Sequence, residues 1–135
     1  MASAVFMVVV VSLISLISFS LASRFLSRVE SAELKLSQSK MEEFNGRRAN
    51  DPAFSSSGSP LNAAGDIDFD APADPQTTSF LQLTLNESRN TKLSFETRCN
   101  ISTVGTRKII TVATRKLGGS LFRHQPSNLK LFIAP

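Results

Sequence analysis

The sequence predicts an α+β protein in which one long N-terminal helix packs on a small antiparallel meander of four to five strands. Three observations carry this. Residues 1–45 hold no proline or glycine, the first breaker being Gly46. From Ser79 the apolar residues recur every second position instead of at helical spacing. Between the two lies a stretch crowded with Pro, Gly, Ser and Asp. The organisation is therefore a 1–23 apolar half-helix, a 24–45 amphipathic half, a 46–78 irregular acidic loop and a 79–135 antiparallel β-module.

Met1 to Ser23 carries no charge and is dominated by aliphatic side chains, with a Val8–Val11 run and a close at Leu21. About 20 such residues at ~1.5 Å rise cross the ~30 Å hydrocarbon core of a bilayer. Ser12, Ser15, Ser18 and Ser20 interrupt the run, but a helical serine can bond back to its own backbone. From Arg24 onward Phe25, Val29, Ala32 and Leu36 recur at helical spacing between polar residues, a stripe suited to packing against a sheet. The helix is expected to stop at Gly46 in a left-handed cap, with Glu43 and Arg47 forming an i,i+4 pair.

Residues 49–78 read as a long connection, with turn signals such as Asn50-Asp51-Pro52 and Ser57-Gly58-Ser59-Pro60. Its Asp66, Asp68 and Asp70 alternate as at the start of an EF-hand, but Ala71 stands where that loop needs glycine and Thr77 where it needs glutamate. The expectation is a solvated acidic loop lying against the basic module, with a non-EF calcium loop as the weaker alternative. Beyond it, Leu81, Leu83 and Leu85 alternate with Gln82 and Thr84, and Leu93 and Phe95 alternate with Lys92, Ser94, Glu96 and Arg98. Lys108 to Arg115 is β-branched, Leu121 and Phe122 suggest a short strand, and Leu129, Leu131 and Ile133 finish the set. Such alternation predicts one buried face and one wet face.

Composition narrows the function. With ten Phe but no Trp or Tyr, the core must be built from Phe and aliphatics. A single cysteine, Cys99, allows no intrachain disulfide and reads as a small buried apolar residue. Residues 51–78 carry five aspartates and no basic residue, whereas residues 79–135 carry nine basic and two acidic side chains. Lys92, Arg107, Lys108, Arg115 and Lys116 form a candidate basic surface; no stacking aromatics accompany them, so a solvated face is preferred over nucleic-acid binding. His124, the sole histidine, has no identifiable acid or nucleophile partner, and no nucleophile elbow, phosphate loop or metal-ligand spacing occurs. No enzyme activity and no cofactor are expected. Asn86-Glu87-Ser88 and Asn100-Ile101-Ser102 match the N-glycosylation pattern.

A layout of apolar-then-amphipathic helix, variable loop and small antiparallel sheet resembles the type IV pilin and type II secretion pseudopilin families. The resemblance covers the whole chain as a layout and is most specific from Ala4 to Lys40. It implies a structural filament subunit that sits in membrane lipid before assembly and then packs against copies of itself or related subunits. Val5, Val9, Ser12, Leu13, Ser15, Leu16 and Phe19 are its expected helix-packing residues. Residues 1–23 lack the glutamate usual in major pilins, which points to the minor or tip type. In that family a basic leader is removed, which would place the module outside the cytoplasm. Taken literally, Arg24 and Arg28 after the apolar run place it inside instead, as in an accessory subunit of a larger membrane complex, with its module in cytoplasm, stroma or matrix. A third alternative is a secreted binding module cut after Ser20-Leu21-Ala22.

Overall fold

A computed structural model describes residues 2–47, 52, 58–86, 91–118 and 126–133, with the backbone alone for residues 2–5, 85, 86 and 91. One helix, α1 (Ala2–Asn45), is followed by four strands: β1 (Thr78–Asn86), β2 (Thr91–Val104), β3 (Arg107–Leu117) and β4 (Asn128–Ile133). The architecture is α+β, a long helix packed on an antiparallel sheet in the order β1-β2-β3-β4. Leu121, Phe122 and His124 lie outside the described residues. The chain divides into two compact units, Met1–Ala32 and Glu33–Pro135, so the division falls within α1 itself.

The first unit is helix alone. Its large apolar side chains from Phe6 to Leu21 are exposed on every side. Ser12 and Ser15 donate their hydroxyls to the Val8 and Val11 carbonyls at 2.8 and 2.9 Å, so neither brings an unsatisfied polar group to this surface. Further along, Val29 is buried, Ala32 is half-buried and Phe25 is 42% exposed.

In the second unit, the remaining turns of α1 lie along β3 on one face of the sheet. Ser37 Oγ donates to Thr114 Oγ1 at 2.8 Å, and Thr114 also shares a 2.8 Å hydrogen bond with Thr97. One turn earlier, the Glu33 carboxylate accepts the Lys116 backbone N–H at 2.8 Å. Towards the helix end, Phe44 enters a cluster with Cys99, Ile101, Ile110 and Val112, rimmed by Met41, Leu131 and Ile133. The buried line on this stretch of the helix is thus Glu33, Ser37 and Phe44, while Leu36, the expected stripe residue, is only half-buried. Polar residues occupy the line because each meets a specific partner on β3.

The helix stops at Asn45, as Gly46 signals, but Gly46 does not take a left-handed conformation. Its N–H still reaches the Glu42 carbonyl at 3.0 Å. Glu43 pairs with Arg47 at 2.7 Å and with Lys40 at 2.8 Å. Across the sheet, β2 and β3 are joined by the two-residue turn Gly105-Thr106, where Gly105 has φ +63°.

The opposite sheet face departs from the alternation reading at its centre: Glu96, Arg98 and Asn100 are all buried beneath the loop 58–77, so β2 is covered on both sides while Phe80 and Phe132 on the edge strands of this face stay exposed. This loop is not simply solvated. Leu61 and Ile67 bridge across a turn held by Asn62, and buried Ile67 donates its N–H to Asn128 Oδ1 at 2.9 Å. Gly58 and Ser59 reach β2 directly, Ser59 N–H bonding the Cys99 carbonyl at 2.9 Å.

Candidate functional site

Two features stand out chemically: the exposed apolar half of α1 and the ionic seam beneath the loop. Among the described residues one helix is long and apolar enough to cross a membrane, and none of its apolar window is buried. Of the expected helix-packing residues, Val9, Leu13, Leu16 and Phe19 are 50%, 53%, 66% and 75% exposed. Ser12 and Ser15 share this exposed surface, and the Val5 side chain lies outside the described residues. The apolar character runs all round the helix. That distinguishes it from a one-sided interfacial helix, which would keep a charged face in water.

At the seam, Glu96 lies between two guanidinium groups. Its carboxylate accepts Arg98 Nε at 2.7 Å and Arg115 Nε at 2.8 Å, satisfying both oxygens with charge-assisted bonds. Arg98 spends its Nη1 on the carbonyls of Asp68 and Ala71, at 2.9 and 2.8 Å, and so ties the loop to β2. The Phe69 ring stacks over both cations, 5.2 Å from Arg98 and 4.7 Å from Arg115. Strand alternation alone put Glu96 and Arg98 in water; only the loop segment 68–71 reveals why they are inside.

The loop's aspartates are engaged with the protein's own groups. Asp66 pairs with Lys130 at 3.3 Å, and Asp68 accepts the N–H groups of Asp70 and Ala71 within its own turn. Among the described residues no three His, Cys, Asp or Glu side chains are grouped to hold a metal ion. Asp66 does contact the basic module, in line with the charge pattern, but Arg98 takes backbone carbonyls rather than carboxylates from the loop.

The candidate basic residues do not gather into one patch. Arg115 is engaged at the seam, and Lys116 follows it on the other sheet face, opposite Phe95. Lys92 sits near that end of the sheet, opposite Thr84, whereas Arg107 and Lys108 belong to the far end at the β2–β3 turn. A nucleic-acid groove needs a continuous stripe of cations.

Cys99 and Asn100 are both structural. Cys99 is 2% exposed, its thiol faces the Thr77 carbonyl at 3.4 Å, and burial pushes it up to about 11. Alkylation at pH 8 is expected to be negligible on the folded protein and rapid in urea, since the thiolate is the reacting form; mass spectrometry reads the difference. Because the folded value lies above the ordinary one, stability from this thiol is complete below about pH 9 and is lost as pH rises through about 11. Asn100 is buried and gives its Nδ2 to the Ser59 carbonyl at 2.7 Å, so in the folded chain this triplet presents no acceptor to a glycosyltransferase. The Asn86 side chain lies outside the described residues.

Comparison of the chain with protein-family models, with curated proteins and with solved structures finds no match.

Proposed function

We propose that this chain is a membrane-anchored structural subunit of a pilus- or pseudopilus-like filament, mechanical rather than catalytic in its role. It assembles through the apolar half of α1 and presents the sheet with its fastened loop outside the cytoplasm. The observation that carries the reading is the unbroken helix exposed all round from Phe6 to Leu21. Each large apolar side chain left in water forgoes about 1.5–3 kcal/mol, so lipid or neighbouring helices must cover this surface. Lipid serves a single copy, and other helices serve an assembly. With the Ser12 and Ser15 hydroxyls bonded within their own helix, association would rest on the shape of Val9, Leu13, Leu16 and Phe19 around these small residues.

Two measurements on native membranes test this. Leu13→Arg places a charge mid-span at about 2.5–3.5 kcal/mol and should shift the chain from the carbonate-resistant pellet to the supernatant. Ser12→Cys should give a disulfide-linked homodimer under oxidation, one cysteine per chain joining two neighbouring helices. A wild-type chain in the supernatant would overturn the anchor. Ser12→Cys cross-linking to one fixed heterologous partner would instead identify an accessory subunit of a larger complex.

A further inference from the structure

The sheet has two edges, β1 and β4, and among the described residues neither is paired on its outer side. An open edge presents a row of backbone donors and acceptors that another strand can complete, and proteins usually blunt it with charge, proline or a cover. Thr78–Asn86 contains no charged residue and no proline, and it exposes Phe80 at 66% and Leu81 at 45%. On β4, Phe132 is likewise 66% exposed.

We infer that β1 of one copy pairs with β4 of a second copy, extending the sheet from subunit to subunit. Topology favours this partner. Four strands in simple antiparallel order leave the outer edges running in opposite directions, so a neighbour in the same orientation meets β1 with an antiparallel β4. A two-fold pairing of β1 with itself would close at two copies, whereas the filament reading above, on which this clause rests, needs a contact that propagates.

Register supports the same choice. The two-residue turn makes Val104 and Arg107 a hydrogen-bonded pair. Ladder alternation counted from there leaves the backbone groups of Phe80, Gln82 and Thr84 on one open edge and those of Asn128, Lys130 and Phe132 on the other. Setting Phe132 opposite Phe80 places Lys130 opposite Gln82 and Asn128 opposite Thr84, all on the loop-covered face. Leu131 then falls opposite Leu81, and Leu129 opposite Leu83, on the helix face. Phe80, Leu81 and Leu83 in this register each face an apolar residue, Ile133 alone of the β4 apolar residues falls opposite a polar one, Ser79, and no like charges meet. The contact is heterologous, so it propagates instead of closing at two copies.

The test uses the full chain in its native membrane. A Phe80→Cys/Phe132→Cys double variant, changed only at two exposed positions, is treated with a short bismaleimide. The expected product is a ladder of dimers, trimers and higher species, with no product from either single variant. Adding Gln82→Pro removes an outward N–H without breaking the β1–β2 ladder and should cut the product at least about tenfold. A dimer from Phe80→Cys alone, stopping at two copies, would indicate self-pairing of β1 and overturn the proposal. So would the absence of any ladder in a chain whose Ser12→Cys variant still cross-links, which would leave the helix reading standing. A ladder formed by a chain that does not pellet with membranes would uphold the edge pairing and remove the anchor.

Discussion

Replacing Glu96 with alanine is expected to destabilise the second unit by about 3–5 kcal/mol, the cost of breaking a buried ion pair by removing one partner. Glu96 is 3% exposed and holds Arg98, itself 4% exposed, and Arg115 with one carboxylate. Without it, Arg98 keeps its full charge under the loop and is left with the neutral Asp68 and Ala71 carbonyls and the Phe69 ring. Urea unfolding read by far-UV circular dichroism measures the loss, and limited proteolysis within residues 60–77 should accelerate in parallel. Two comparisons sharpen the result. Removing Glu43, whose pairs with Lys40 and Arg47 are partly solvated, should cost no more than about 1 kcal/mol. Replacing the pair together, Glu96→Leu with Arg98→Met, should recover much of the loss, because two apolar groups of similar volume need no compensation. A Glu96→Ala cost below about 1 kcal/mol would mean that water reaches the seam.

The second large effect is expected at Gly58, where Gly58→Ala should cost about 2–5 kcal/mol by combining two separable penalties. The residue has φ +79°, a conformation that costs a non-glycine residue about 1–2 kcal/mol. A Cβ there would also come within 2.5 Å of the Cys99 carbonyl oxygen and 3.0 Å of Asn100 Cα, both backbone atoms of a central strand. Gly105→Ala isolates the first penalty. Gly105 has φ +63°, but a Cβ built on it would meet nothing within 4 Å, so its cost should stay near 1–2 kcal/mol. The difference between the two melting shifts measures how tightly the loop approaches β2; equal shifts would show that the strand yields freely.

The parts legible in the sequence are those set by local chemistry. An absence of breakers to Gly46 gave a helix ending at Asn45; period-two apolar runs located β1, β2 and β4 and β-branched residues located β3, though β2 runs on to Val104, six residues beyond its legible alternation. Leu93 and Phe95 are buried as their alternation demands. What alternation could not reveal is that Glu96 and Arg98, on the other parity of β2, are buried too. Their partners are Arg115 and the loop at Asp68 and Ala71, dispersed in sequence and united only by the fold. The same holds for the helix. Its apolar stripe suggested Leu36, yet Ser37 and Glu33 are buried because of Thr114 and the Lys116 amide, contacts separated by 77 and 83 residues. Polar burial is written in tertiary context, which a window of sequence does not contain. At the candidate site, the apolar half was fully legible, whereas the Glu96 seam and the dispersal of the basic residues were not.

Those same separations order events during biosynthesis. The helix leaves the ribosome before the sheet, and its seat on β3 is made only when Thr114 and Lys116 follow, 77 and 83 residues after Ser37 and Glu33. At about 5–20 residues per second, the wait lasts several seconds. Throughout it, the apolar half can already partition into lipid, while Glu33, Ser37 and Phe44 have no sheet to bind. On the anchoring proposed above, insertion would therefore precede folding, with the bilayer holding the apolar half still while the meander closes onto Glu33, Ser37 and Phe44.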